Sequence, residues 1–177
     1  MMQELSLGIL DIAQNSVKAG ATLIELSVKE DSQKNELAVT IADNGCGMDE
    51  ETAKRAADPF YTTRTTRKVG LGLSFFKMSA QLAGGSFELA SEPGKGTVVF
   101  AVFGLNHIDR MPLGDMRATM NALISCNPHL DFVYTHERDG AAFVLDTREM
   151  RKILGDISLA EPEVLAFIAD YVTENDV

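Results

Sequence analysis

Between residues 5 and 43 the hydrophobic pattern changes from a helical period to strict alternation, which restricts the chain to folds that lay helices on a sheet. Apolar side chains at Leu5, Ile9, Ile12, Ala13, Val17 and Ala19 mostly recur three or four apart and predict a helix over 5–19, closed by Gly20. TLIELSVKE (22–30) and ELAVTIAD (36–43) alternate on either side of DSQKN and predict an antiparallel hairpin. A short helix is expected at 49–57. Residues 58–72 are irregular, basic and bounded by Pro59 and Gly72. Next come a helix at 73–83, stopped by Gly84-Gly85, and strands at 86–91 and 97–103 joined by EPGKG. Beyond Gly104 the pattern predicts a helix at 113–125 and a second hairpin (131–136, 141–146) around Arg138-Asp139-Gly140. Helices at 147–154 and 161–173 complete the chain. Asn106–Pro112 is the expected boundary between a unit at 1–105 and an appendage at 106–177.

The 177 residues are 45% hydrophobic and 24% charged, the balance of a globular domain with a real core. No apolar run reaches the roughly 18 residues of a membrane span. The acidic start lacks the basic flank of a secretory signal. Cys46 and Cys126 are too few and too far apart for a disulfide framework, so a cytoplasmic setting is expected. Cys46 reads as an inert turn residue, Cys126 as core or helix end, and His107, His129 and His136 as surface or capping groups. Net charge is −10. Residues 1–105 hold 10 basic and 13 acidic side chains, and 106–177 hold 6 and 13. Such a chain repels nucleic acid and anionic membranes, so neither is an expected partner, and an anionic ligand must be held by placed cations or backbone N–H groups.

Four segments carry chemistry. Asp11 and Asn15 lie four apart on the first helix and share a face, suited to holding a water and a Mg²⁺ ion. Asp43-Asn44-Gly45-Cys46-Gly47-Met48 follows a strand; its glycines let the backbone approach a flat ligand, and its carboxylate can accept from an exocyclic amine. Asp58-Pro59-Phe60-Tyr61-Thr62-Thr63-Arg64 leads into Arg67 and Lys68, a hydroxyl-rich basic stretch attractive to phosphate. Gly70-Leu71-Gly72-Leu73 opens a helix whose first N–H groups make an anion site. Taken singly, each segment also reads as a solvated helix face, a turn or a basic loop.

Their order and spacing resemble the GHKL superfamily of ATP-binding domains, shared by DNA gyrase B, the heat-shock chaperone ATPase, MutL and sensor histidine kinases. DIAQNSVKAGAT looks like the MutL version of the asparagine box and DNGCGM like the first glycine box. DPFYTTR, GLGL and LAGGSFELASEPGKGTVVFAVF resemble the histidine-kinase version, over about residues 5–104. The resemblance implies a two-layer α/β sandwich of Bergerat type, a mixed sheet with helices on one face. It also implies ATP and Mg²⁺ as ligands. By the same resemblance Asn15 would coordinate Mg²⁺ and Asp43 would accept from the adenine amine. Gly45 and Gly47 would pass under the base and Met48 would pack on it. Phe60 would anchor a lid that brings Thr62, Thr63 and Arg64 to the phosphates. Gly70, Leu71, Gly72 and Leu73 would supply the phosphate-facing turn, and Asp11 would take the place of the catalytic glutamate.

Asp11 is one methylene shorter than glutamate, so slow hydrolysis, or none, is an expected consequence. The sequence shows no helical hairpin with a phosphorylatable histidine ahead of Asp11, and no strands ahead of the first helix. The hairpin at 131–146 is expected to cover the sheet edge those strands would occupy. Three functions stay open at this point: a regulatory or switch ATPase acting on a protein partner, a serine or histidine protein kinase of anti-sigma type, and a non-hydrolysing nucleotide sensor. A homodimer is compatible with each.

Overall fold

The computed structural model describes residues 3–58 and 71–177. Helix α1 (Leu5–Lys18) leads into β1 (Leu23–Asp31) and β2 (Glu36–Asp43), followed by α2 (Glu50–Ala56), α3 (Gly72–Leu82), β3 (Ser86–Glu92) and β4 (Gly96–Gly104). The C-terminal part is α4 (Met116–Cys126), β5 (Asp131–Arg138), β6 (Ala141–Asp146), α5 (Thr147–Leu154) and α6 (Pro162–Asn175). All six strands form one sheet in the order β3-β4-β2-β1-β5-β6. Every pairing is antiparallel except β1 with β5, which run parallel.

Alternation decides which face of the sheet is buried. Ile24, Leu26 and Val28 of β1, Leu37, Val39 and Ile41 of β2, and Val99, Ala101 and Phe103 of β4 all point into one core. The helices cover that face. α1 offers Leu5, Ile9, Ile12 and Ala13, α4 offers Met116, Met120, Leu123 and Ile124, and α6 offers Val164, Ile168 and Val172. α1 packs between α3 and α4, and α6 packs on α4. Phe76 of α3 meets Phe103 edge to face at 5.4 Å, a contact contributing about 1 kcal/mol beyond its buried area. The result is a two-layer α/β sandwich with a mixed sheet. None of the described helices is long and apolar enough to cross a membrane.

α4 begins at Met116 rather than at 113, because Asp115 caps it by accepting from the Ala118 N–H at 2.8 Å. The β5–β6 hairpin turns through Asp139-Gly140, and β5 lies along the free side of β1 with Leu26 opposite Tyr134.

β5 also carries an ionisable group into the apolar layer. Phe132, Tyr134 and His136 share its inward face, and His136 is only 2% exposed, not the surface residue that sequence alone suggests. Its Nδ1 lies 2.5 Å from Asp176 Oδ1 at the end of α6, and its Nε2 lies 3.2 Å from Glu30 Oε1 on β1. Arg138 donates to the same Glu30 at 2.9 Å. Burial opposes the imidazolium, but the hydrogen bond and charge of Asp176, with those of Glu30, outweigh it and hold the pKa above 6.5. A raised folded-state pKa contributes stability that is complete below the unfolded value and is lost as pH climbs through the folded one. The melting temperature is therefore expected to fall as pH rises above about 6.5. His136→Gln should flatten that slope and cost about 3 kcal/mol at about pH 6. A wild-type melting temperature that increases over the same range would contradict the assignment.

Candidate functional site

One cleft lies between α1, the end of β2, the loop after it, α3 and β4. It holds about 280 Å³ and is walled by Ile12, Ala19, Ile41, Met48, Leu73 and Val99, with Asn15, Ser16, Lys18, Asp43 and Thr97 among its polar groups. The apolar walls follow from the same stripes that build the core. α1 and β2 each run past the core's edge, and their last inward residues face the cleft.

Asp43 is fixed from two sides. Ser16 Oγ donates to its Oδ2 at 2.5 Å, and the Gly45 N–H donates to its Oδ1 at 2.9 Å. A carboxylate accepts through both oxygens, so these two bonds orient Asp43 and leave it capacity to accept further. The loop that follows is tied down at each step. Asn44 Oδ1 accepts from the N–H groups of Thr22 and Leu23, and the Cys46 N–H donates to Ala19 O at 2.9 Å. The Met48 N–H donates to Ser91 Oγ at 2.8 Å, and that hydroxyl lies 2.8 Å from Thr97 Oγ1. Gly47 has φ +66°, and a methyl there would overlap the Glu92 carbonyl, so this position requires glycine.

α3 begins beside the cleft. Its N-cap, Leu71, has no side-chain acceptor to offer, so among the described residues no side chain caps the first turn, where N–H groups can meet an anion. Gly72 lies against Asp11, so close that an added Cβ would overlap the Asp11 carboxylate. Asp11 therefore sits at the positive end of α3, one turn before Asn15 on the half-buried side of α1.

Asn15, Asp43, Gly47, Met48 and Leu73 thus line one cleft, and Gly45 is bonded to its carboxylate. Asp11 and Gly72 touch each other outside the described lining, and Leu71 is 51% exposed. Phe60, Thr62, Thr63, Arg64 and Gly70 lie outside the described residues. Sequence reasoning missed Ser16, Lys18 and Thr97, all of which line the cleft. Lys18 is the one cation among the described lining residues. Thr97 could have been found from strand register, because it pairs with Asp43 across β2 and β4. Among the described residues no group of three or more His, Cys, Asp or Glu could hold a metal ion.

The family model for histidine kinase-, DNA gyrase B- and HSP90-like ATPases matches residues 3–107. The chain belongs to this family. Over 109 residues this GHKL chain is 36% identical to a protein named as a sensor in Shewanella frigidimarina. Over 107 residues it is 33% identical to the signal transduction histidine-protein kinase AtoS of Escherichia coli. Each match takes in 60% of this chain and 17% of the relative, so the chain spans about a sixth of the length of these relatives. The N-terminal domain of a DNA repair protein shares the fold, with a TM-score of 0.53 at 18% identity over 82% of this chain and 53% of that one. Residues 3–107 are thus a histidine kinase-like ATPase domain.

Proposed function

We propose that this domain binds Mg·ATP in the cleft and serves as a regulatory or switch ATPase on a protein partner in the cytoplasm. The observation that carries the reading is Asp43, the single carboxylate among the described lining residues, locked by Ser16 and Gly45 inside a largely apolar cleft. Such a group accepts from the amine of adenine and disfavours guanine, which presents a carbonyl at that position. Met48, Ile41 and Val99 would flank the base. Asn15 and Lys18 line the same cleft and would meet the phosphates, to which the first turn of α3 would add N–H donors. These are the local devices that a chain of net charge −10 needs to hold a polyanion.

A magnesium ion fits this donor set. It retains several waters and takes phosphate oxygens, so the Asn15 carboxamide suffices as its protein ligand. When bound, the ion neutralises charge on the phosphates. Replacing magnesium with EDTA is expected to weaken ATP binding to wild type about tenfold, and Asn15→Ala should show little further loss on chelation. Equal magnesium dependence in both proteins, measured by titration, would remove Asn15 from this role.

Asp11, against Gly72 at the start of α3, would orient a water towards the terminal phosphate, its shorter side chain implying a slow rate. Phosphate release from ATP should be measurable in wild type and fall to background in Asp11→Asn. Equal rates would favour a nucleotide sensor. The AtoS match favours a second reading, transfer of the γ-phosphoryl group to a serine or histidine of another protein. Incubation with labelled ATP and candidate partners separates it from hydrolysis. In either case residues 106–177 would transmit the nucleotide state to the partner.

A further inference from the structure

α5 and α6 leave a groove between them that no described element fills. It has a volume of about 810 Å³ and is lined by Ile153, Leu154, Ile157, Val164 and Phe167. Three of these side chains lie largely in water: Ile153 is 86% exposed, Ile157 55% and Phe167 59%. Contiguous large apolar groups on a surface mark an interaction site more often than isolated ones do. Phe167 is also held in place. It stacks on Tyr171 with ring centroids 6.0 Å apart, and Tyr171 leans on Phe143 of β6 at 5.3 Å. An aromatic ring fixed before binding loses little entropy when a partner covers it.

Charge selects the occupant. Asp156, Glu161 and Glu163 line the groove, and none has an ion-pair partner among the described residues. The cations of α5 are engaged with other partners: Arg148 pairs with Asp146, Arg151 with Asp131 and Lys152 with Glu149. The groove therefore presents apolar surface edged by uncompensated negative charge. A second copy docking symmetrically would set these acids against themselves. An anionic membrane is repelled for the same reason. A cleft between two helices accepts a third helix through side chains at i, i+3, i+4 and i+7.

We infer that the α5–α6 groove docks a basic amphipathic helix of a partner protein, its apolar side chains covering Phe167 and Ile153 and its Lys or Arg side chains meeting the acidic edge. This gives the regulatory reading its partner face and rests on that reading for its purpose. The docking itself does not need nucleotide, since the groove lies outside the ATPase match at residues 3–107.

The test uses the full chain without nucleotide and a labelled synthetic helix with leucines at i, i+3, i+4 and i+7 and lysines between them. A scrambled peptide of the same composition and a version with glutamate for lysine are the controls. The ordered lysine helix should bind saturably, about tenfold or more tighter than either control, and shift backbone amides of α5 and α6. Ile153→Ser and Phe167→Ser replace exposed groups, so both should fold as wild type does, and each should weaken binding about tenfold. No binding, equal binding of the scrambled peptide, indifference to both variants, or amide shifts elsewhere would overturn the inference. So would a concentration-dependent dimer that the same variants abolish, which would assign the groove to a second copy. ATP affinity measured on the same preparation keeps the two readings apart. Peptide failure with intact ATP binding removes only the groove assignment, and ATP failure with intact peptide binding removes only the nucleotide reading.

Discussion

Asp43→Asn is expected to weaken Mg·ATP binding about a hundredfold while the chain stays folded. The carboxylate accepts from Ser16 and from the Gly45 N–H, and a further lone pair would take the adenine amine in the proposed complex. An asparagine keeps its oxygen for the Gly45 N–H and turns its NH₂ towards Ser16, whose hydroxyl can rotate to accept. The loop is thereby preserved, but the nucleotide meets a donor where it needs an acceptor. A hydrogen bond to a charged group contributes about 1.5–3 kcal/mol, which sets the size of the loss. Displacement of a fluorescent ATP analogue gives the affinity and thermal melting gives the fold. An unchanged affinity in a folded variant would remove Asp43 as the adenine contact. Discrimination against GTP should shrink in the same variant.

Gly72→Ala is expected to abolish Asp11-dependent phosphate release, lowering it about a hundredfold, with a much smaller effect on melting temperature. In an exposed helix the change from glycine to alanine favours folding by about 1 kcal/mol. Here the new methyl would overlap the Asp11 carboxylate, and that carboxylate, as the free end of a side chain, can turn away. The fold should survive, but the carboxylate proposed to hold the water would be moved. The double variant Asp11→Gly, Gly72→Ala should melt no lower than Asp11→Gly alone, because the clash is then gone. A Gly72→Ala protein that releases phosphate at the wild-type rate would show that the position of Asp11 does not matter to the reaction.

Much of this architecture was legible in the sequence because helices and strands bury one face at their own period. Leu5, Ile9, Ile12 and Ala13 mark α1, and Ile24, Leu26 and Val28 mark β1, without any knowledge of what they touch. The same signal also marks the inward row Phe132, Tyr134, His136, and a strict reading of it would have put His136 in the core. What periodicity cannot supply is contact between distant segments. Ser16 reads as one more small residue on the buried stripe of α1, and nothing local says that its hydroxyl meets a carboxylate 27 residues on. The parallel pairing of β5 with β1 is equally non-local. The candidate site emerged from the order of four short segments, each of which alone suits a plain turn or helix face. Contacts reached only across strands, such as Thr97 opposite Asp43, became visible when register was fixed.

Calorimetric titration of ATP into the chain with magnesium present tests the central claim most directly. The account predicts saturable binding of a single nucleotide per chain that is weakened by chelation and largely lost in Asp43→Asn. Absence of heat and of saturation with ATP and with ADP up to about millimolar concentration would contradict it.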